Sequence, residues 1–571
     1  MRKKTLFLFI LCAFAVIFLW SQWDTGIIPI DGKHDSLRYL EMAETQSKGK
    51  WLGEYNSMTL IRSPVYSEML SLNWIMGWPL QRTQTFTYIL SVALLGAALR
   101  KMKVAGFRII SVCTLCACHP AVLISCRFVA TEAFYTSVVT ILLAGVLGVL
   151  GSLKKGGGGL FFWVTVLSLS LALAWRMRDE SLWLIPAAVV YAGYVVWGLP
   201  YADSEGEGGR GQVSDSVSRR TSAIVGWKRW GIRFICIVIP VLTVCMWTGW
   251  IQRQNQKHYG VGVVNEMVEP GFKAAFSRLT RLDGQTHHPY VPITRKAMAD
   301  AERVSPHFKK LYPFLSRQLD GNGWSQFGCQ WMGVCDELAG GWAVWAVRDA
   351  ANSVGVYVDA VHAAAFYADL AKEIETGWRT GQIACTSNPT GNILAPPLTW
   401  IDIPRIVYSA VRVGWMTLWM GDLPEAYRQI AGMEPPPELA EKYRSIAGSL
   451  NGHRNKAVVA IHGVLFWIFR VIQVIGGAWL LSFVIIKTVA WMRCRYRIEM
   501  TWQQPVWILP AILVVSRLAI VGYIDAMSYW AQSRYMMVIY PALITLFCLT
   551  LPSRPPPMPQ YWTEAPAISS D

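Results

Sequence analysis

The carboxylates, arginines and tyrosines of this chain gather in four short clusters. In the segment IDGKHDSLRYLEMAETQSKGK, Asp31 and Asp35 are four apart and share one face of a helix, continued by Tyr39 and Ala43. A second cluster is ATEAF with Glu132, and a third is RMRDES with Arg176, Arg178, Asp179 and Glu180. The fourth runs from Asp525 through Tyr529 to Arg534 and Tyr535. A carboxylate can take the proton from an attacking hydroxyl or amine. An arginine fork matches the oxygens of a phosphate in pairs. Together they fit transfer of a group from a phosphate-linked lipid, with the leaving phosphate held electrostatically. A divalent cation could share that work, although two carboxylates four residues apart do not establish one.

The elements that must position these groups are set by composition. The 571 residues are 53% hydrophobic and only 16% charged, against roughly a quarter charged in a soluble domain. An ordinary soluble enzyme, a disordered chain and a small disulfide scaffold are therefore excluded. Ten stretches are long and apolar enough to cross a bilayer: 5–22, 84–100, 107–127, 132–152, 159–176, 181–199, 231–250, 464–490, 505–524 and 535–552. The chain reads as an all-α polytopic membrane protein of about ten spans. The range is nine to twelve, because 457–491 is long and 66–80 is short.

The net charge of +16 is mainly topological. With the N-terminus in the cytoplasm, Arg100/Lys101/Lys103/Arg108, Lys154/Lys155, Arg219/Arg220/Lys228/Arg229 and Arg493/Arg495/Arg497 all fall on the cytoplasmic side. No nucleic-acid partner is expected. The first span reads as an uncleaved anchor, a cleaved signal peptide being the alternative. The organisation expected is a transmembrane module over 1–250 with a first external loop at 24–83 and a flexible cytoplasmic loop at 200–230. An extracytoplasmic, helix-rich segment follows at 251–456, then C-terminal spans at 457–552 and a Pro-rich cytoplasmic tail at 553–571.

On this topology all four clusters lie at the external membrane boundary. Charges there are costly unless paired, solvated or lining a cavity. One cluster alone reads as interfacial loop charge, whereas four on one face read as a site. Elsewhere the sequence is less telling. Cys113, Cys116, Cys118 and His119 mimic metal-ligand spacing but sit in an apolar span and read as packing. Cys329 and Cys335 could form a short disulfide. His287, His288 and His362 lack supporting acid spacing and read as structural. Trp342, Trp345 and Trp378 offer faces for a sugar, with core packing the plainer reading.

The order of these motifs resembles the GT-C superfamily of integral-membrane glycosyltransferases. It is most similar to the bacterial branch related to protein mannosyltransferases and the aminoarabinose transferases of lipid A. That family carries D-x-x-x-Y-x-x-x-A, a Gly and R-x-P-x-Y in its first external loop. Asp35, Tyr39, Ala43, Gly49, Arg62, Pro64 and Tyr66 stand at those places here. The resemblance implies a GT-C-like fold in the bacterial inner membrane with both termini cytoplasmic. It also implies a polyprenyl-phosphate sugar donor and an envelope glycan, lipid or protein as acceptor. It makes Asp35 the catalytic residue, with Asp31, Tyr39, Arg62, Glu132, Arg178, Glu180 and Arg534 binding substrate. Two departures stand out. His34-Asp35 replaces an acidic pair found in many relatives, which leaves metal dependence open, and 251–456 finds no match in the better-known branches.

The rival reading is a transporter or lipid flippase, which should place ionisable groups near mid-membrane in related halves. Arg470, inside a long apolar stretch, leans that way. A scaffold protein binding partners through 251–456 would leave the Asp35 loop idle.

Overall fold

The computed structural model describes residues 27, 36–153, 157–197, 215–282, 289–385, 398–421, 423, 440–441, 456–494 and 504–551. Asp31, Asp35, the 5–22 stretch, His287, His288 and the 553–571 tail lie outside them. The chain is an all-helical, multi-pass membrane protein. Among the described residues the β structure amounts to two isolated bridges, Leu282–Cys385 and Ile293–Leu338. Six helices among the described residues are long and apolar enough to span: Thr131–Ser152, Gly157–Met177, Trp230–Tyr259, Ala460–Val489, Pro505–Met527 and Ser533–Thr550. The remaining expected spans that are described form Leu80–Lys101, a broken pair over 106–125, and the shorter Ser181–Trp197.

In chain order, α1 (Ser36–Ser47), α2 (Val65–Met76) and α3 (Leu80–Lys101) precede α4 (Gly106–Ala117) and α5 (Pro120–Ser125). Then come α6 (Thr131–Ser152), α7 (Gly157–Met177), α8 (Ile185–Trp197) and α9 (Asp215–Tyr259). Helix α6 is the centre of the bundle, packed between α3 and α7. Bilayer lipid supplies no hydrophobic drive between helices, so close approach through small residues matters. Gly148 of α6 shows this: a Cβ there would fall 2.1 Å from the Trp163 ring of α7. Such a contact fixes the height at which the two helices meet, and with it the spacing of Glu132 and Arg178 at their outer ends.

The expected single span at 107–127 is broken at Cys118–His119–Pro120. Proline cannot supply the amide that a continuous helix needs, and it pushes the preceding residue out of the helical region. His119 is accordingly extended, at ψ 113°. Two polar groups at the break find partners inside the bundle, as lipid demands. The Cys116 carbonyl accepts from the Tyr88 hydroxyl at 2.6 Å. The His119 ring stacks on Tyr540 at 4.1 Å and hydrogen-bonds the Gln473 amide at 2.7 Å.

The region expected to be external is built from α10 (Pro270–Leu279), α11 (Arg295–Val304), α12 (Pro306–Ser316), α13 (Ser325–Met332), α14 (Gly340–Ser353) and α15 (Ala360–Arg379). Phe272, Phe276, Phe308, Leu311, Val344 and Leu370 make its core. Side-chain caps start several of these helices, Thr294, Ser305 and Asp359 each accepting from a first-turn amide. Cys329 and Cys335 are joined in a disulfide. A buried pair ties this region to the loop between α1 and α2, the expected first external loop. Arg348 of α14, 1% exposed, meets Glu266 at 2.6 Å and also donates to the Ser57 carbonyl. Glu266 in turn accepts from the Tyr55 hydroxyl.

The last group is α16 (Ile403–Trp419), α17 (Lys456–Cys494), α18 (Pro505–Met527) and α19 (Tyr540–Thr550). Helix α16 lies along α18, with Ala410 against Gly522, and the Tyr540 hydroxyl donates to the Thr417 carbonyl at 3.2 Å. Arg470 caps the end of α16, donating to the Trp419 carbonyl at 2.8 Å with its guanidinium about 5 Å from the Trp419 and Trp467 rings. The apolar-stretch arginine that leaned toward transport therefore has a local structural job.

Candidate active site

Glu132 sits in the first turn of α6, where a carboxylate complements the helix dipole. It is 9% exposed. The segment before it is anchored from the first external loop: Ser36, the first residue of α1 and fully buried, donates its hydroxyl to the Val129 carbonyl at 2.8 Å. Beyond the end of α7 the chain turns through Arg178, Asp179 and Glu180. The Ser181 hydroxyl closes that turn by donating to the Arg178 and Ala174 carbonyls at 2.7 and 2.8 Å.

Arg178 is the hub. Its Nε is 2.8 Å from Glu180 Oε1, and its Nη1 is 3.5 Å from Glu132 Oε1 and 3.3 Å from the Thr131 hydroxyl. Its guanidinium faces the rings of Tyr135 and Tyr535 at 5.8 and 6.0 Å. Arg534 approaches Glu132 from the other side, Nη1 to Oε1 3.9 Å, and lies 5.2 Å from the Tyr535 ring. Arg517 of α18 completes the group, its Nη2 3.1 Å from Glu180 Oε1. Its Nε and Nη2 also donate to the Tyr535 carbonyl, at 3.0 and 2.8 Å. Burial would push the Glu180 carboxyl up, but Arg178 and Arg517 outweigh it and hold it down to about 2.

A second layer surrounds this core. Asp179 accepts from Asn265 Nδ2 at 2.8 Å, and the same amide reaches the Ile61 carbonyl at 3.2 Å. Burial raises the Asp179 carboxyl, opposed by the positive charge of Arg62. The structure thus brings Glu132, Arg178, Glu180 and Arg534 together and sets Arg62 beside the adjoining Asp179. Tyr39 goes elsewhere: it is 6% exposed in a small core with Tyr66, the two rings edge to face at 5.0 Å.

Two readings of the sequence change. Asp525, grouped with Tyr529 and Arg534 by proximity in the chain, leaves that group and pairs with Arg412 of α16, whose Nε is 3.0 Å from Oδ2. Arg517 was missed, although it stands in an apolar stretch as Arg470 does. The signal was the same in both cases, a charge that lipid cannot tolerate without partners. Among the described residues, no group of three or more His, Cys, Asp and Glu side chains lies close enough to hold a metal ion.

Further along the same helices are two apolar spaces. A cleft of about 660 Å³ runs between α6, α7, α8, α9 and α18, lined by residues such as Leu142, Val146, Leu171, Ile237 and Leu513. A smaller space of about 220 Å³ shares Leu143 and Leu513 with it and reaches Trp183. The Arg517 guanidinium lies 5.5 Å from that Trp183 ring.

No protein-family profile matches the chain, and no curated protein matches it in sequence. Among solved structures the chain is similar to ArnT from Cupriavidus metallidurans in the apo state, with 10% identity and a TM-score of 0.32 over 95% of this chain and 78% of that one. It is similar also to the same protein bound to undecaprenyl phosphate, with 10% identity and a TM-score of 0.31 over 96% and 78%.

Proposed function

We propose that the chain is a GT-C-type glycosyltransferase of the bacterial inner membrane, moving a sugar from a polyprenyl-phosphate donor to an extracytoplasmic acceptor. One observation carries this reading. Three guanidinium groups, of Arg178, Arg517 and Arg534, share two carboxylates, Glu132 and Glu180, and α6, α7 and α18, which carry or lead into this group, also line an apolar cleft. A buried group with that charge balance favours an added anion, and arginine suits phosphate. The cleft suits an isoprenoid chain. In the reaction, an acceptor hydroxyl attacks the anomeric carbon, the bond from that carbon to the phosphate oxygen breaks, and polyprenyl phosphate leaves. The hydroxyl proton passes to a carboxylate. Asp35 is the base in this proposal, on the strength of its motif, with the arginines stabilising the leaving phosphate and Glu132 holding Arg178 and Arg534 in position.

The test is release of polyprenyl phosphate by purified protein in nanodiscs, followed by mass spectrometry with a panel of polyprenyl-phosphate sugars. Asp35→Asn should abolish release, and Glu132→Gln should lower kcat about 10²–10³-fold while the protein stays folded. Unchanged turnover in both variants refutes the mechanism. The transporter reading keeps one supporting observation, the fully buried Arg517 midway along α18. Passage of an intact donor lipid between leaflets, without bond cleavage, would decide for it.

A further inference from the structure

Five aromatic rings follow one another from the surface of the external region to the charged group. Trp324, just before α13, lies 5.8 Å from Phe327, and Phe327 stacks on Trp342 of α14 at 5.9 Å and 20°. Trp342 lies 6.5 Å from Tyr529, and Tyr529 6.0 Å from Tyr535. Tyr535 is the ring that Arg178 and Arg534 face. Every step is within the spacing of ring contacts, so the run is continuous.

The rings are held in place but are not sealed in a core. The Trp324 Nε1 donates to Asp349 at 2.8 Å. Gly340, at φ 48°, lets the start of α14 sit on the Ser528 carbonyl, where a Cβ would fall 1.7 Å from that oxygen. This fixes Trp342 beside Tyr529. Yet Phe327 keeps 41% of its surface exposed, and Trp331, one turn further along α13, keeps 45%. Large aromatic surface left in water is unfavourable, so its presence on a rigid, disulfide-closed turn points to a ligand.

The chemistry favours a saccharide. A pyranose offers an apolar C–H face to an aromatic ring and hydroxyls at its edge to polar neighbours. Exposed neighbours of these rings in the chain include amides and an acid, Gln326, Gln330 and Asp336, with Arg295 the basic residue that reaches the Asp336 carbonyl. An anionic bilayer would call for basic residues in that place. Resting on the transferase reading above, we propose that the rings from Trp324 to Tyr535 form a track for the sugar residues of the acceptor. The acceptor is then a glycan or the sugar headgroup of a glycolipid, laid along the external region with its reacting hydroxyl toward Arg534 and Glu132.

The experiment is saturation-transfer NMR on the full-length protein in detergent, with a panel of soluble tri- to hexasaccharides of hexoses and N-acetylhexosamines. At least one should bind, with saturation on the C–H protons of successive rings. Phe327→Ala and Trp342→Ala should each weaken its Kd about tenfold, and Trp342→Phe should restore binding to within about threefold. Donor cleavage to water, measured in parallel, separates the two readings. If cleavage persists and no saccharide binds, the track alone falls. If saccharide binds and no donor is cleaved, the transferase reading alone falls. Alanine variants that bind as tightly as the wild type overturn the track. So does quenching of a fluorophore on Gln330→Cys by spin-labelled lipid in nanodiscs, which would place the rings in the bilayer.

Discussion

Replacing Arg517 by methionine tests the charged group as a unit. The side chain is 2% exposed, so its charge is compensated almost wholly by Glu180 and the Tyr535 carbonyl. Removing one partner of a buried pair costs about 3–5 kcal/mol when the other is left alone. Glu180 is not left alone, because Arg178 remains 2.8 Å away and about a quarter of the carboxylate side chain is exposed. The drop of its pKa from 4.5 to about 2 corresponds to roughly 3 kcal/mol at about 1.4 per unit. Burial opposes that shift, so the two arginines together supply more than this, Arg178 the larger share and Arg517 at least about 1 kcal/mol. The stranded Tyr535 carbonyl adds about 1–3 kcal/mol. Arg517→Met should therefore destabilise the protein by about 2–4 kcal/mol in mixed-micelle unfolding. Combining it with Glu180→Gln should cost about 1 kcal/mol less than the two separate losses summed. Because the folded pKa of Glu180 is depressed, its share is present above pH 4.5 and is lost as pH falls toward 2. The gap between wild type and Arg517→Met should narrow over that window. Strict additivity in the double variant, or a gap independent of pH, refutes the coupling.

Two further outcomes follow from single residues. Burial pushes the Glu68 carboxyl up to about 7, and its Oε1 has no hydrogen-bond partner among the described residues. The folded state then holds the proton longer than the unfolded one, so stability should fall by about 3 kcal/mol as pH rises from 4.5 through 7. Glu68→Gln should remove that slope in thermal unfolding measured from pH 5 to 8; an equal slope in the variant refutes the assignment. Gly340→Ala meets both a left-handed backbone and the Ser528 carbonyl, at a cost of at least about 1 kcal/mol from φ alone. Hydrogen exchange in the 528–532 turn should accelerate in that variant, and unchanged exchange would show that the contact yields freely.

How much of this was legible in the sequence depends on whether chain order or space brings residues together. Spans such as Thr131–Ser152 and Gly157–Met177 are written as uninterrupted apolar runs, and the RDES turn follows from where α7 must end. Glu132, Arg178, Glu180 and Arg534 could be grouped because each lies at a span's outer end, where topology fixes depth. Arg517 could not be placed that way, since its partners come from the 178–180 turn and from Tyr535. Asp525 failed for the complementary reason: it is near Arg534 in sequence, but its partner Arg412 lies more than a hundred residues earlier. Helix α16 carries the same lesson, for its run IPRIVYSAVRVGWMTLW reads as amphipathic, and only contact with α18 and Tyr540 shows which face is covered.

The pair of Arg348 and Glu266 sets the units in which this protein can be rebuilt. Arg348 joins α14 to the Ser57 carbonyl, and Glu266 joins its own turn to Tyr55 and, through its amide, to the Leu60 carbonyl at 2.8 Å. A chimera that exchanged the external region while keeping the native first loop would remove Arg348 and Glu266 together and leave the Tyr55 hydroxyl and the Ser57 and Leu60 carbonyls without these partners, at about 1–3 kcal/mol for each polar group that stays buried. The two segments, two hundred residues apart in the chain, are one cassette. Grafts, truncations and natural recombination should succeed only when they carry both.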